Sequence, residues 1–553
     1  MGARPLFQPQ PLPPSPEREP GRATPLTLVR SSVSAVAEPE RLGLLERLVL
    51  VAACLLGTFV RVAGVGGVAL QGDEDLAVPY VERGYGAVLT SFDGRKLHAG
   101  FAFLQRVSCD LFGETVLAYR LPAIVAGLFG LWLLYPLGKR CVGARPAFVA
   151  TLVLALQPLH VYYSRFARGY SLVFLLVLLL VAALERAHAG GKRRAWIAAA
   201  LVAGVLPWVQ LSAGGAVALV AVASVLWGAR NGSWRAPCLA FGGAALLCLA
   251  LYAPALDGFR AYLERLSASG ARRGPELGAL AESFGGTRLG GPLLLAASLL
   301  ASGAILATRW NARVLLAAAV LGGPLALALL RPSGGESAYS RYLLGSLAPM
   351  LLVSAWGLFA LLRRFAPRAE RVGPALGVVF LAYQSFAGPS DLVARHGAFS
   401  NSVASALLPR PVYDAPWAGM PALYRQLRAA PGALVVVEFP YVDEAALLLR
   451  DYQRQHGKTV WVGLDKGRGG LFARAPYCPL FDAQRLHEAD WLVIHLDLAS
   501  EVRAYLAFAG VTEARVRADD LHELTPVMLE QFGEPDYRDE RVWAWELGHE
   551  PGP

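Results

Sequence analysis

The chain has 553 residues, of which 55% are hydrophobic and 17% charged, and its mean hydropathy is +0.42. Soluble domains carry about 25% charged residues, so the composition excludes an ordinary soluble enzyme and points to a membrane protein. The net charge of +10 is not a nucleic-acid footprint, because the basic residues sit at the ends of apolar runs, and no nucleic-acid partner is expected.

Residues 1–40 are rich in Pro, Ser and Arg ("PLFQPQPLPPSPEREPGRATP") and show no apolar periodicity, so they read as a disordered tail. The first apolar run starts too late for a cleavable signal peptide and reads as an uncleaved anchor. Spans are expected near 44–63, 117–138, 146–163, 169–186, 195–209, 211–228, 236–256, 289–308, 313–330, 342–362 and 372–388. That is roughly eleven helices at the length a bilayer requires. The six cysteines fall mostly in these runs, form no C-x-x-C pair, and read as small buried hydrophobes.

Alternate short loops are basic. They carry Lys139, Arg140 and Arg145; Arg186, Lys192, Arg193 and Arg194; Arg230 and Arg235; Arg309 and Arg313; and Arg363, Arg364, Arg368 and Arg371. A positive-inside bias places these loops and the N-terminus in the cytoplasm, and loops 64–116, 257–288 and 331–341 outside. Residues 389–553 change character. "GALVVVEFPY" and "ADWLVIHLDL" read as buried strands, and "DEAALLLRDYQRQH" between them has helical spacing. The expected fold class is therefore a mainly α polytopic membrane domain, 41–388, followed by an extracytoplasmic α/β domain, 389–553.

The outer face collects unusual polar groups. "QGDEDLAVPY" brings Asp73, Glu74 and Asp75 to the start of the long loop 64–116. "PLHVYYSRFARGYSLVFLL" holds Tyr163, Arg165, Arg168 and Tyr170 between two spans, "SRYLLGSLAP" brings Arg341 and Tyr342, and "RKLHAGFAFLQRV" brings His98. Positive-inside bias disfavours arginines on this side, and guanidinium forks match phosphate oxygens. A carboxylate beside such a phosphate site is placed to act as a base. Each motif also has a plainer reading: acids at a helix N-terminus, interfacial tyrosines, snorkelling arginines.

Taken in order, "GDED", "KLHAGFAFLQRVSCDLFGETVLAYRLPAIVAGL", "LALQPLHVYYSRFARGYSLVFLL" and "SRYLLGSLAP" resemble the GT-C superfamily of polyprenyl-phosphate-dependent membrane glycosyltransferases. The nearest branch contains protein O-mannosyltransferases and bacterial aminoarabinose transferases acting on lipid A. The resemblance implies that Asp73 is the base that activates the acceptor and that Glu74 supports it. It assigns Arg168, Tyr170 and Arg341 to the lipid phosphate, with Tyr163, Arg165, Tyr342 and His98 beside them. His98 departs from the family pattern, since Ala99–Gly100 follows it where Pro-Pro is usual, and Arg165 stands where Gln is common. The implied partners are a polyprenyl-phosphate-linked sugar, membrane lipids and a lipid, protein or glycan acceptor. The implied location is a bacterial inner membrane, which the Ala-, Gly- and Arg-rich composition also fits. No metal-ligand spacing stands out, so metal stays outside the central expectation, with a divalent cation left open. The rival readings are a transporter or flippase for a lipid-linked saccharide, which would carry ionisable groups near mid-membrane, and an inactive scaffold. "RDYQRQHGK" reads as a solvated helix end rather than a substrate lid.

Overall fold

The computed structural model describes residues 42–63, 65, 72–92, 97–268, 290–308, 310–330, 341–367, 374–375, 377–379, 421–432, 434–439, 458–460, 489–495, 529–530 and 532–547. All of them belong to one compact unit, Leu42–Pro553. The expected tail 1–40, most of the span 372–388, the helix in "DEAALLLRDYQRQH" and all of "RDYQRQHGK" except Lys458 lie outside the described residues.

The helices are α1 Leu44–Val62, α2 Val78–Glu82, α3 Tyr85–Thr90, α4 Ala99–Phe112, α5 Val116–Val142, α6 Ala144–Ala155, α7 Pro158–Ser164 and α8 Tyr170–Gly190. They continue with α9 Arg193–Val209, α10 Gly214–Arg230, α11 Arg235–Tyr252, α12 Leu256–Ala268, α13 Gly290–Ala307, α14 Ala312–Leu330 and α15 Leu344–Phe365. Among the described residues, five helical stretches are long and apolar enough to cross a membrane: Val116–Val142, Tyr170–Gly190, Leu211–Arg230, Arg235–Ala261 and Arg341–Phe365. Large apolar side chains remain outside the core, such as Leu48 and Leu55 on α1 and Leu239, Leu246 and Leu249 on α11. Apolar faces of that extent, on helices of spanning length, fit acyl chains rather than water.

The expected span 146–163 is split. Helix α6 stops at Ala155, the chain leaves helical geometry at Leu156, and α7 restarts at Pro158. The restart has a local cause: Gln157 caps α7 by accepting a 2.7 Å hydrogen bond from the His160 amide, and Pro158 occupies the first turn. The break leaves carbonyls of α6 without helical partners, and Arg61 takes them. Its Nη1 donates to Ala155 O (2.7 Å) and Gly57 O (2.8 Å), and its Nη2 to Leu154 O (3.0 Å) and His160 Nδ1 (2.8 Å).

The core is a bundle in which α5 packs on α6 and α8, α9 on α8 and α11, α10 on α14, and α15 on α6, α8 and α14. The expected outer loop 64–116 folds into α2, α3 and α4. Val78, Val81, Val88, Leu97, Ala102 and Cys109 from it form a small core with Ala118, Tyr119 and Ala167. The basic loops meet at the opposite end of the bundle. Arg313 donates to Cys141 O (3.2 Å) and lies over the Trp356 ring, Arg230 lies 4.0 Å from the Trp310 centroid, and Arg140 pairs with Glu185.

The C-terminal part holds α16, Leu423–Ala429, and a five-stranded sheet in the order β2-β1-β3-β5-β4. The strands are β1 Val435–Phe439, β2 Thr459–Val460, β3 Trp491–His495, β4 Tyr537–Arg538 and β5 Val542–Glu546. Strands β1 and β3 are the two expected from the sequence, and they pair in parallel. Strand β5, "VWAWE", was not anticipated and runs antiparallel to β3. Tyr424, Glu438 and His495 are buried together and hydrogen-bond one another at 2.9–3.0 Å.

Candidate functional site

The site is built around the buried link 165–169 between α7 and α8. A buried loop must find partners for its backbone, and three side chains supply them here. Glu74, in the 3₁₀ turn Gly72–Ala77, accepts a 2.6 Å hydrogen bond from the Ala167 amide. Gln105 of α4 donates to Ala167 O (3.3 Å) and Tyr119 O (3.1 Å). Arg165 donates to Val60 O and Ala63 O, both at 2.8 Å, and so caps the C-terminal end of α1. Ala167, the residue preceding Arg168, is thus held at both its N–H and its C=O.

Glu74 is itself held by Arg120 of α5. The guanidinium grips the carboxylate in a fork (Nε to Oε1 2.8 Å, Nη2 to Oε2 2.6 Å) and also donates to Val65 O. Both side chains are fully buried. Glu74 and Arg165 therefore spend their polar atoms on the protein's own framework, and the geometry gives them positioning parts. Asp73 precedes Glu74 in the same turn, so its backbone is held beside the Ala167–Arg168 link; its side chain lies outside the described residues.

The remaining expected residues converge. Tyr163 and Tyr170 are buried and meet edge to face with centroids 4.8 Å apart. Tyr170 also lies 6.3 Å from Tyr342 and 6.5 Å from the His98 ring. The Arg341 guanidinium sits 6.0 Å from the Tyr170 centroid and 5.2 Å from that of Tyr342. His98, at the N-cap of α4, feels both Arg168 and Arg341. Burial first, and then these two charges, push its imidazole well below the usual histidine value, so it stands neutral between cations. Two guanidinium forks and a neutral imidazole at one spot, walled by tyrosines, form a surface matched to a phosphate beside an apolar chain.

Arg120, Gln105 and Arg61 were not singled out from the sequence. Arg120 and Arg61 had a signal, an arginine inside an otherwise apolar helix; Gln105 had none. Among the described residues no three His, Cys, Asp or Glu side chains gather as metal ligands.

A family model described as dolichyl-phosphate-mannose-protein mannosyltransferase matches residues 99–256, which contain His98's helix and the 165–169 link. The structure is similar to that of ArnT from Cupriavidus metallidurans in the apo state, at 16% identity and a TM-score of 0.51, covering 92% of this chain and 99% of that one. ArnT bound to undecaprenyl phosphate matches over the same shares at 15% identity and a TM-score of 0.51. The chain has the GT-C fold of the membrane glycosyltransferases. The Archaeoglobus fulgidus oligosaccharyltransferase, in complex with zinc and sulfate, shares this GT-C fold at 14% identity and a TM-score of 0.51, over 85% of this chain and 70% of that one. No curated protein sequence matches the chain. The GT-C fold accounts for a multi-pass membrane protein whose polar cluster lies at one end of the helix bundle.

Proposed function

We propose that this chain is a glycosyltransferase that moves a sugar from a polyprenyl-phosphate carrier to an acceptor hydroxyl, with inversion. The observation that carries the reading is the convergence of Arg168, Arg341 and neutral His98 against the Tyr163–Tyr170–Tyr342 wall. The arginines hold the carrier phosphate, and the tyrosines line its path into the bilayer. The acceptor oxygen attacks the anomeric carbon as the bond to the phosphate oxygen breaks; the electron pair leaves with the phosphate, whose charge the guanidinium groups stabilise. A phosphate so held departs without a strong general acid. Asp73 takes the acceptor proton, because the Glu74 anchor holds its turn next to Arg168. The ArnT structure with undecaprenyl phosphate supports a carrier of this chemical class. The basic loops gathered at the far end of the bundle support an orientation with the site facing away from the cytoplasm.

Binding of a polyprenyl phosphate to the purified protein tests the donor site. Arg168→Ala and Arg341→Ala are each expected to weaken it roughly tenfold to a hundredfold, the loss of one charge-assisted hydrogen-bonding partner. Unchanged affinity in both variants would refute the assignment.

A further inference from the structure

Helix α8 joins two polar regions. Its 21 residues span about 30 Å, the thickness of a bilayer's hydrocarbon core. Tyr170 at its start belongs to the site described above. Around its other end Arg140, Arg186, Lys192 and Arg194 border a hollow of about 530 Å³. Gly191, at φ 60°, turns the chain so that the end of α8 and the start of α9 lie side by side across it. Lys192 is the N-cap residue of α9 and makes no side-chain capping bond, so the first-turn amides of a 17-residue helix add to the positive field. The nearby acid Glu185 is engaged with Arg140 at 2.8 Å. The floor is apolar and small, with Ala195 and Ala198 contributing.

We propose that this hollow binds the phosphate headgroup of an anionic phospholipid, in the leaflet opposite the glycosyl-transfer site. Positive-inside topology alone requires only basic loops splayed into water. Here the cations rim a concavity at the end of the spanning helix α8, and the alanine floor accepts glycerol and the first acyl carbons. Basic pockets between spanning helices recognise lipid phosphates in this way. Inorganic phosphate would use the cations and leave the floor unfilled.

The test measures phosphatidylglycerol binding to the purified full-length protein in detergent, with phosphatidylcholine and inorganic phosphate as competitors. Arg186→Ala/Lys192→Ala/Arg194→Ala should weaken binding roughly a hundredfold, three surface cations' worth. Arg363→Ala/Arg364→Ala, which removes two cations outside the hollow, should change it less than about threefold on the same scale. Ala198→Trp narrows the hollow while keeping every charge, and should also weaken binding. Wild-type affinity in the triple variant or in Ala198→Trp would overturn the proposal. So would displacement by phosphatidylcholine, or by inorganic phosphate as effectively as by phosphatidylglycerol itself.

Discussion

The Glu74–Arg120 pair shows how single residues set this site. Each charge is fully buried and is tolerable only because the other neutralises it. Glu74→Gln leaves Arg120 without its counter-charge and should cost about 3–5 kcal/mol, read as a large drop in thermal midpoint. Glu74→Gln combined with Arg120→Met should cost less than the single change, because no lone buried charge remains. A double variant as unstable as the sum of its parts would contradict the pairing. His98 gives a pH prediction. Its folded value lies well below the ordinary 6.5, so the unfolded chain takes up the proton first as pH falls. Its contribution to stability is full above about 6.5 and is lost progressively below that. The thermal midpoint should fall on acidification through this range, and His98→Gln should make the fall shallower. Equal slopes in the two proteins would show that His98 is not held neutral.

At the scale of elements, two arginines repair helix ends. Arg61 binds the carbonyls of Leu154 and Ala155 where α6 stops, and Arg165 binds those of Val60 and Ala63 at the end of α1. The repair needs α1 and α6 in close contact. At Gly57 an added Cβ would lie 2.8 Å from Ala155 O and 3.1 Å from Arg61 Nη1. Gly57→Ala should therefore destabilise by about 1–3 kcal/mol through overpacking. Gly242→Ala, in α11 with open space around it, should be neutral or stabilise by up to about 1 kcal/mol. Thermal midpoints of the two variants distinguish these outcomes, and equal midpoints would contradict the packing. These elements also show what the sequence made legible. The apolar runs marked helices, because length and hydropathy suffice for a helix in lipid, but the run 146–163 is two helices broken at Leu156. Arg168 and Arg341 stood out because arginines at span ends that a positive-inside bias would place outside need a reason. Glu74 and Arg120, 46 positions apart, could not be paired from spacing. Their bond is made by the fold, as is Gln105's reach to Ala167. Strand β5 escaped notice because in "VWAWE" neighbouring Trp543, Ala544 and Trp545 are all buried, so it lacks the alternation of a half-exposed strand.

At the scale of the whole molecule, the charged side chains of the described helix bundle gather toward its two ends. One end carries acids, arginines, tyrosines and a neutral histidine; the other carries the basic loops. A carrier lipid confined to one leaflet, with its phosphate at the interface and its chain in the bilayer, meets the first end without leaving the membrane. Transport would instead place ionisable groups along a path through the middle. The buried Arg61–His160 contact lies at the broken end of α6, where backbone carbonyls take three of the guanidinium's four hydrogen bonds. The proposed chemistry is that a sugar leaves a lipid phosphate at this end, with Asp73 taking the acceptor's proton. It is tested most directly by following sugar transfer from radiolabelled polyprenyl-phosphate sugars in membranes holding the wild type or Asp73→Asn. The wild type should transfer label, and the variant, at equal abundance, should be slower by about a hundredfold to ten-thousandfold. Equal rates would contradict the role of Asp73, and wild-type membranes that transfer no label from any such donor would contradict the activity itself.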